Sequence, residues 1–355
     1  MTGTAAIEPE LITTALPPIG HLRINRPKSL NALTIGVITG IHAALDAWCD
    51  DPNILAVIID GAGDRAFCAG GDLRSIYAAR GNEQFGYDIF LAEYQLNYKI
   101  ANYPKPIVAI MNGITMGGGA GIAVYASHRI VTEHTKFAMP ECGIGLFPDI
   151  GASWFLQKSP GLSGLYLALT GDMIDAADAI YARVADHYVP WDNMPGLHQK
   201  LATIQSQADI GKIINQFQSM TPTPPSLRQN QSCIDDYFAH ATSLLGIYLG
   251  LPADEFGQNV KRSMDKNSPL SMGITFESMR RAKGRDLAAV LNTDLILSQS
   301  CLAGGEFYEG IRAAVIDKDR KANWNPTKIG DLNPDAIDRH FIPPNDRDYT
   351  AIGRL

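Results

Sequence analysis

Ile107 to Ala126, IVAIMNGITMGGGAGIAVYA, decides how this chain folds. Ile107 to Met111 is a short apolar run that follows Pro104 and Pro106 and reads as a strand covered on both faces. Asn112 to Gly121 then forms a glycine-rich turn, and the apolar residues Ile122 to Ala126 continue as a helix. Strand, glycine turn and helix start is the usual way to aim free backbone N–H groups at negative charge. The structural alternative is close packing of helix on strand, where only glycine fits.

The same order stands one unit upstream. Ile54 to Ile59 (ILAVII) is a strand rich in β-branched residues, and Gly61 to Asp72 (GAGDRAFCAGGD) is the turn. Two such turns can each give one N–H to one oxygen, an oxyanion hole, which is worth about 3–4 kcal/mol per donor. Gly61-Ala62-Gly63-Asp64-Arg65-Ala66 also fits the dinucleotide pattern G-x-G-x-x-A. The context is wrong, because that turn opens directly into a helix, whereas here the chain runs on through Phe67 to Asp72.

Downstream, Phe137 to Leu156 (FAMPECGIGLFPDIGASWFL) places Glu141 and Asp149 in an otherwise almost wholly apolar segment. An unpartnered buried carboxylate is costly, so two together point to acid/base or nucleophilic work. The structural reading has Glu141 in a turn after Pro140 and Asp149 capping a helix that starts near Ile150. If the acids share one site, like-charge repulsion favours one ionised and one protonated form at neutral pH.

Other elements follow from period and breakers. Gly20 to Arg26 alternates as a strand ended by Pro27. Ile35, Ile38, Ile41, Leu45 and Trp48 mark one buried face of a helix from Thr34 to Cys49. A helix from about Phe85 to Asn102 carries Glu93. Beyond Gly161 the chain reads mainly helical, over Leu162–Thr170, Asp175–Val184, Asp235–Leu249 and Asp286–Leu302, with Met220 to Asn230 as an exposed proline-rich connection.

The 355 residues suffice for a large core, and 46% hydrophobic with 19% charged residues is ordinary for a globular protein. A net charge of −7 gives nucleic acid or an anionic membrane no general attraction. Five widely spaced cysteines without a CxxC pair argue against a disulfide framework or a zinc cluster and fit a reducing compartment. The first residues show neither signal nor transit-peptide character, and no apolar run reaches the roughly 18 residues of a membrane span. A cytoplasmic location is expected. Rival chemistries lack support: no GxSxG elbow is present, and Cys68 and Cys142 read as packing. The histidines, among them His128 and His134, form no ligand motif, so no metal is expected.

Together, RPKSLNAL (Arg26 to Leu33), AFCAGGD (Ala66 to Asp72), NGITMGGGAG (Asn112 to Gly121) and MPECGIGLFPDIG (Met139 to Gly151) resemble the crotonase, or enoyl-CoA hydratase/isomerase, superfamily. FLAEYQLN around Glu93, Asp149 within LFPDIG, and EGIRAAVIDKDRKANWNP (Glu309 to Pro326) are similar to its 3-hydroxyisobutyryl-CoA hydrolase branch. The resemblance covers about Gly20 to Ile342.

The resemblance implies an α/β fold, a spiral of ββα units over 20–215 with a helical C-terminal region over 216–355 covering the site, and an N-terminal extension over 1–19. It implies hydrolysis of a short branched 3-hydroxyacyl-CoA thioester, 3-hydroxyisobutyryl-CoA to 3-hydroxyisobutyrate and CoA, in valine breakdown. By position, the N–H groups of Gly71 and Gly118 hold the thioester oxygen, Glu141 and Asp149 are the catalytic pair, and Glu93, Gly70 and Asp72 bind substrate. Hydratases use a second glutamate where this chain has Gly121, which disfavours the hydratase or isomerase alternative. A noncatalytic CoA-binding protein is a third reading, opposed by the retained acids. No cofactor is implied, CoA being part of the substrate, and a homo-oligomer is left open. Arg26, Lys28, Arg65, Arg74, Lys318, Arg320 and Lys321 are candidates for the CoA phosphates, none singled out.

Overall fold

Ala56–Gly61 alternates between two hydrophobic cores, which explains why ILAVII reads as continuously apolar. Val57 and Ile59 face one core with Leu22, Ala109 and Met111, while Ala56 and Ile58 face a second with Ile19, Val108 and Ile110. A strand buried on both faces has no solvent side to pattern. The computed structural model describes residues 8–239 and 242–354.

Two sheets run through the molecule. The larger joins β1 (Leu11–Leu16), β2 (Ile19–Ile24), β3 (Ala56–Gly61), β5 (Ile107–Met111), β7 (His128–Val131) and β9 (His187–Tyr188), parallel except for β1. The smaller is parallel, with β4 (Ala66–Cys68), β6 (Ile114–Met116) and β8 (Lys136–Ala138) in that order. Each unit gives one strand to each sheet and then turns into a helix, so β3–β4, β5–β6 and β7–β8 wind as a spiral of ββα repeats. Helices Met194–Leu201 and Asp209–Phe217 close the outer face of the larger sheet.

The helix expected from Thr34 begins at Ile35, with the Thr34 hydroxyl accepting from the Val37 N–H. Leu11–Leu16, part of the stretch read as an extension, pairs with β2 as an edge strand, and residues 1–7 lie outside the described ones. The helix expected over Asp235–Leu249 is two helices, Gln231–Ala239 and Leu244–Gly250, with 240–241 outside the described residues. Helix Ser226–Gln229 interrupts the connection expected over Met220–Asn230. After Gly61 the chain enters β4 rather than a helix, as the rejection of a dinucleotide turn requires.

The last third packs back over the spiral. Leu287–Ala303 lies along Glu83–Ala101, so closely that a Cβ on Gly86 would stand 2.6 Å from Leu302 Cδ1. Glu306–Ile311 continues into a π-turn over Arg312–Ile316, and the following loop is tied down by Arg312 bonds to Glu309, Asp317 and Asp319. Among the described residues no single helix is long and apolar enough to cross a membrane.

Candidate active site

Neighbouring strands β4 and β6 end in the two glycine turns, which therefore meet. Gly70 and Gly117 adopt φ +105° and +50°, backbone that a side chain would strain. Gly70 accepts from the Leu33 N–H and Asp72 donates to the Leu33 carbonyl, each at 2.8 Å, so the intervening Gly71 N–H points away from Leu33. Gly118 is the first residue of helix Gly118–Ala123, where N–H groups have no intrahelical acceptor. Among the described residues neither the Gly71 nor the Gly118 N–H has a protein acceptor. The turns are in contact, since a Cβ on Gly70 would lie 3.6 Å from Gly118 N. Both border a cavity of about 860 Å³.

Three carboxyl groups line the same cavity: Glu93, Glu141 and Asp149, only 6%, 5% and 5% exposed. Glu93 comes from helix Glu83–Ala101 and lies against the Gly118 turn, because a Cβ on Gly118 would collide with its Oε1. Glu141 starts the 3-10 turn Glu141–Ile144 and approaches the other side, its Oε1 2.9 Å from where a Cβ on Gly117 would stand. Among the described residues its Oε2 is buried without a partner. Asp149 caps nothing: helix Ala152–Phe155 follows Gly151, and the Asp149 carboxylate instead accepts from the Tyr94 hydroxyl at 2.7 Å.

Burial raises all three acids, to different extents. Glu141 is pushed well above the carboxylate range by desolvation and then by the Asp149 charge. Glu93 is pushed up to about 8 by the same two causes. Asp149 rises by desolvation to about 6, held back by the Tyr94 hydroxyl and by a backbone N–H. At neutral pH the charge therefore rests on Asp149, while Glu93 and Glu141 hold protons. Burial pushes the thiols of Cys68 and Cys142 up to about 12, which leaves both as unreactive packing groups.

The raised Glu93 has a consequence for stability. Folded Glu93 holds a proton that the unfolded chain releases near pH 4.5, so stability falls as pH rises from there through about 8. Glu93→Gln is expected to flatten that decline, by on the order of a few kcal/mol at pH 9, in urea melts across pH 4–9. Parallel wild-type and variant curves would refute a buried neutral Glu93.

Most of the expected site residues converge here. Gly70, Gly71, Glu93, Gly118, Glu141 and Asp149 all border the cavity. Asp72 does not: its carboxylate accepts from the Arg26 guanidinium at 3.0 Å and caps helix Leu73–Ala78 through the Ser75 N–H, so it serves the turn rather than the ligand. Arg26 is spent on that pair, on Glu10 and on the Ala32 carbonyl, and Arg74 bonds the Val315 carbonyl. Of the basic candidates, Arg320 and Lys321 line the cavity, joined by Lys266, which the sequence did not single out. Tyr94 was also missed, although it adjoins Glu93 in the quoted motif.

At Gly121, just behind the glycine turn, a Cβ would lie 2.7 Å from Asn97 Nδ2 and 3.1 Å from Ile150 Cδ1.

The enoyl-CoA hydratase/isomerase family pattern matches residues 19–341. The chain belongs to the enoyl-CoA hydratase/isomerase family. Among members of this family, the protein of Xenopus tropicalis named mitochondrial 3-hydroxyisobutyryl-CoA hydrolase is 38% identical over 350 residues, 96% of this chain and 91% of that one. Its human namesake is 35% identical over 331 residues, covering 91% and 86%. Crystal structures described as an enoyl-CoA hydratase from Rhodobacter sphaeroides and a carnitinyl-CoA dehydratase from Mycobacterium thermoresistibile superpose with TM-scores of 0.88 and 0.90. Both are 34% identical, covering 95% and 98% of this chain and 98% and 100% of theirs. The crotonase spiral expected from the motifs is thus the observed fold.

Proposed function

We propose that this enzyme hydrolyses 3-hydroxyisobutyryl-CoA to 3-hydroxyisobutyrate and CoA. One observation carries the choice of hydrolysis over hydration: glycine stands at 121, where the resemblance puts the hydratases' second carboxylate, and the acid that lines the cavity with Glu141 is Asp149 instead. The relatives named as this hydrolase support the acyl group. Lys266, Arg320 and Lys321 on the cavity wall supply the local cations that an acidic chain needs for CoA phosphates.

In this reading the thioester oxygen lies between the Gly71 and Gly118 N–H groups, which stabilise the charge that develops there. Glu141 and Asp149 share one proton and one charge. For Glu141 to work as nucleophile or as base toward water, its proton passes to Asp149, and the acid so formed can protonate the departing thiolate. A new C–O bond forms, the C–S bond breaks, and the demand on the acid is light because thiolates leave readily. Neutral Glu93 donates a hydrogen bond to the substrate hydroxyl.

The same reading divides the chain into an extension, a spiral core to about residue 215 and a helical cover. It places the protein in valine breakdown and in the cytoplasm. Its five free cysteines agree with any reducing compartment. The decisive assay offers 3-hydroxyisobutyryl-CoA and crotonyl-CoA separately, following free thiol and enoyl absorbance. Thiol from the first alone is expected; turnover of crotonyl-CoA alone would overturn the proposal, as would no turnover of either.

A further inference from the structure

Asp149 is followed by Ile150 and Gly151 at φ +52° and +77°, two consecutive left-handed residues, the first β-branched. A β-branched residue rarely adopts this conformation, and it persists only where its surroundings over-determine it. Three buried side chains from different elements hold the turn, each at 2.7 Å. Tyr94, on helix Glu83–Ala101, donates to the Asp149 carboxylate. Tyr125, just beyond helix Gly118–Ala123, donates to the Ile150 carbonyl. Asp294, in the middle of helix Leu287–Ala303, accepts from the Gly151 N–H.

Asp294 is the least expected of the three. It is 1% exposed on a helix of the C-terminal region and does not border the cavity. An acid buried at such cost needs a partner, and the partner it has is the amide two residues after Asp149. We propose that Asp294 is a positioning residue: with Tyr125 it locks the left-handed turn so that Asp149 faces Glu141 across the cavity, and Tyr94 fixes the carboxylate itself. The C-terminal helical region thereby contributes to catalysis through the turn, beyond covering the pocket. This inference rests on the hydrolase reading for its kinetic effect, but not for its structural one.

The titratable groups that feel the Asp149 charge are Glu93 and Tyr94 from one helix, Tyr125, Glu141, Asp294 and Cys301, with Arg285 acting on Asp294. The test compares Asp294→Ala, Asp294→Asn and Tyr94→Phe by thiol-release kinetics and by 13C-carboxyl NMR titration of Asp149. Asp294→Ala is expected to lower kcat about 10²-fold with KM little changed, the usual consequence of misplacing a reacting group by about 1 Å. Asp294→Asn keeps an acceptor for the Gly151 N–H and should restore most of that loss. Tyr94→Phe removes a donor to the charged carboxylate, so Asp149 should titrate at higher pH and the acidic limb of the rate profile should move with it.

Wild-type kcat and an unchanged Asp149 titration in Asp294→Ala would overturn the inference, as would equal losses in the Ala and Asn variants. If Asp294→Ala does not fold, Tyr125→Phe replaces it, with about a tenfold fall in kcat expected and none counting against the claim. Should the wild type fail to hydrolyse the thioester, the functional reading falls, and the titrations of Asp149 alone decide this one.

Discussion

Glu141→Gln is expected to lower kcat by about 10³-fold, with KM and thermal stability close to wild type. The reason lies in the resting protonation state. Glu141 is held in its neutral form by burial and by the charge on Asp149. Glutamine reproduces the shape and neutrality of that form, so packing is preserved. What it cannot do is lose a proton. A deep loss of turnover in a normally folded variant, measured by thiol release beside a thermal melt, would therefore report the ionised state that the reaction requires. Turnover near wild type would remove Glu141 from the mechanism.

Asp149→Asn is expected to cost about 10²–10³-fold in kcat and also to move its neighbour's titration. The asparagine can still accept from Tyr94, so the turn should survive. The negative charge that raises Glu141 and Glu93 is gone, and both should ionise at lower pH than in the wild type. The stability difference carries a sign as well. Folded Asp149 binds its proton up to about pH 6 against 3.8 unfolded, so this acid's contribution to stability declines as pH rises across that interval in wild type and is missing from the variant. Urea melts at pH 4 and pH 8 should show the variant gaining relative to wild type at the higher value. Unmoved carboxyl titrations with full activity would show that the two acids do not act as a pair.

How much of the fold and site is legible in the sequence depends on whether a signal is local. The doubly buried strand at Ile54–Ile59 and the glycine turns announced themselves, and the helix from Ile35 was bounded by its own cap at Thr34. The repeat itself was hidden, because β4, β6 and β8 have three residues each, too few to show a period. Leu11–Leu16 was missed because an edge strand with mostly exposed side chains lacks a strong apolar pattern. Within the site, Glu141 and Asp149 stood out as acids in apolar surroundings. Asp294 follows Asn292 and Thr293 in LAAVLNTDLILSQS and gives no such local signal, and its partner amide lies 143 residues away. Asp72 closes the AFCAGGD motif, and nothing local to that motif shows that its carboxylate is already paired. Its partner Arg26 is 46 residues distant, and only the fold brings the two together.

The crowding around Gly121 bears on how one chemistry in this superfamily turns into another. A Cβ there would press on the ends of the Asn97 and Ile150 side chains, and Ile150 belongs to the turn that carries Asp149. A carboxylate introduced at residue 121 would therefore disturb the seating of the acid at 149, so the two arrangements are coupled through one shared patch of side chains.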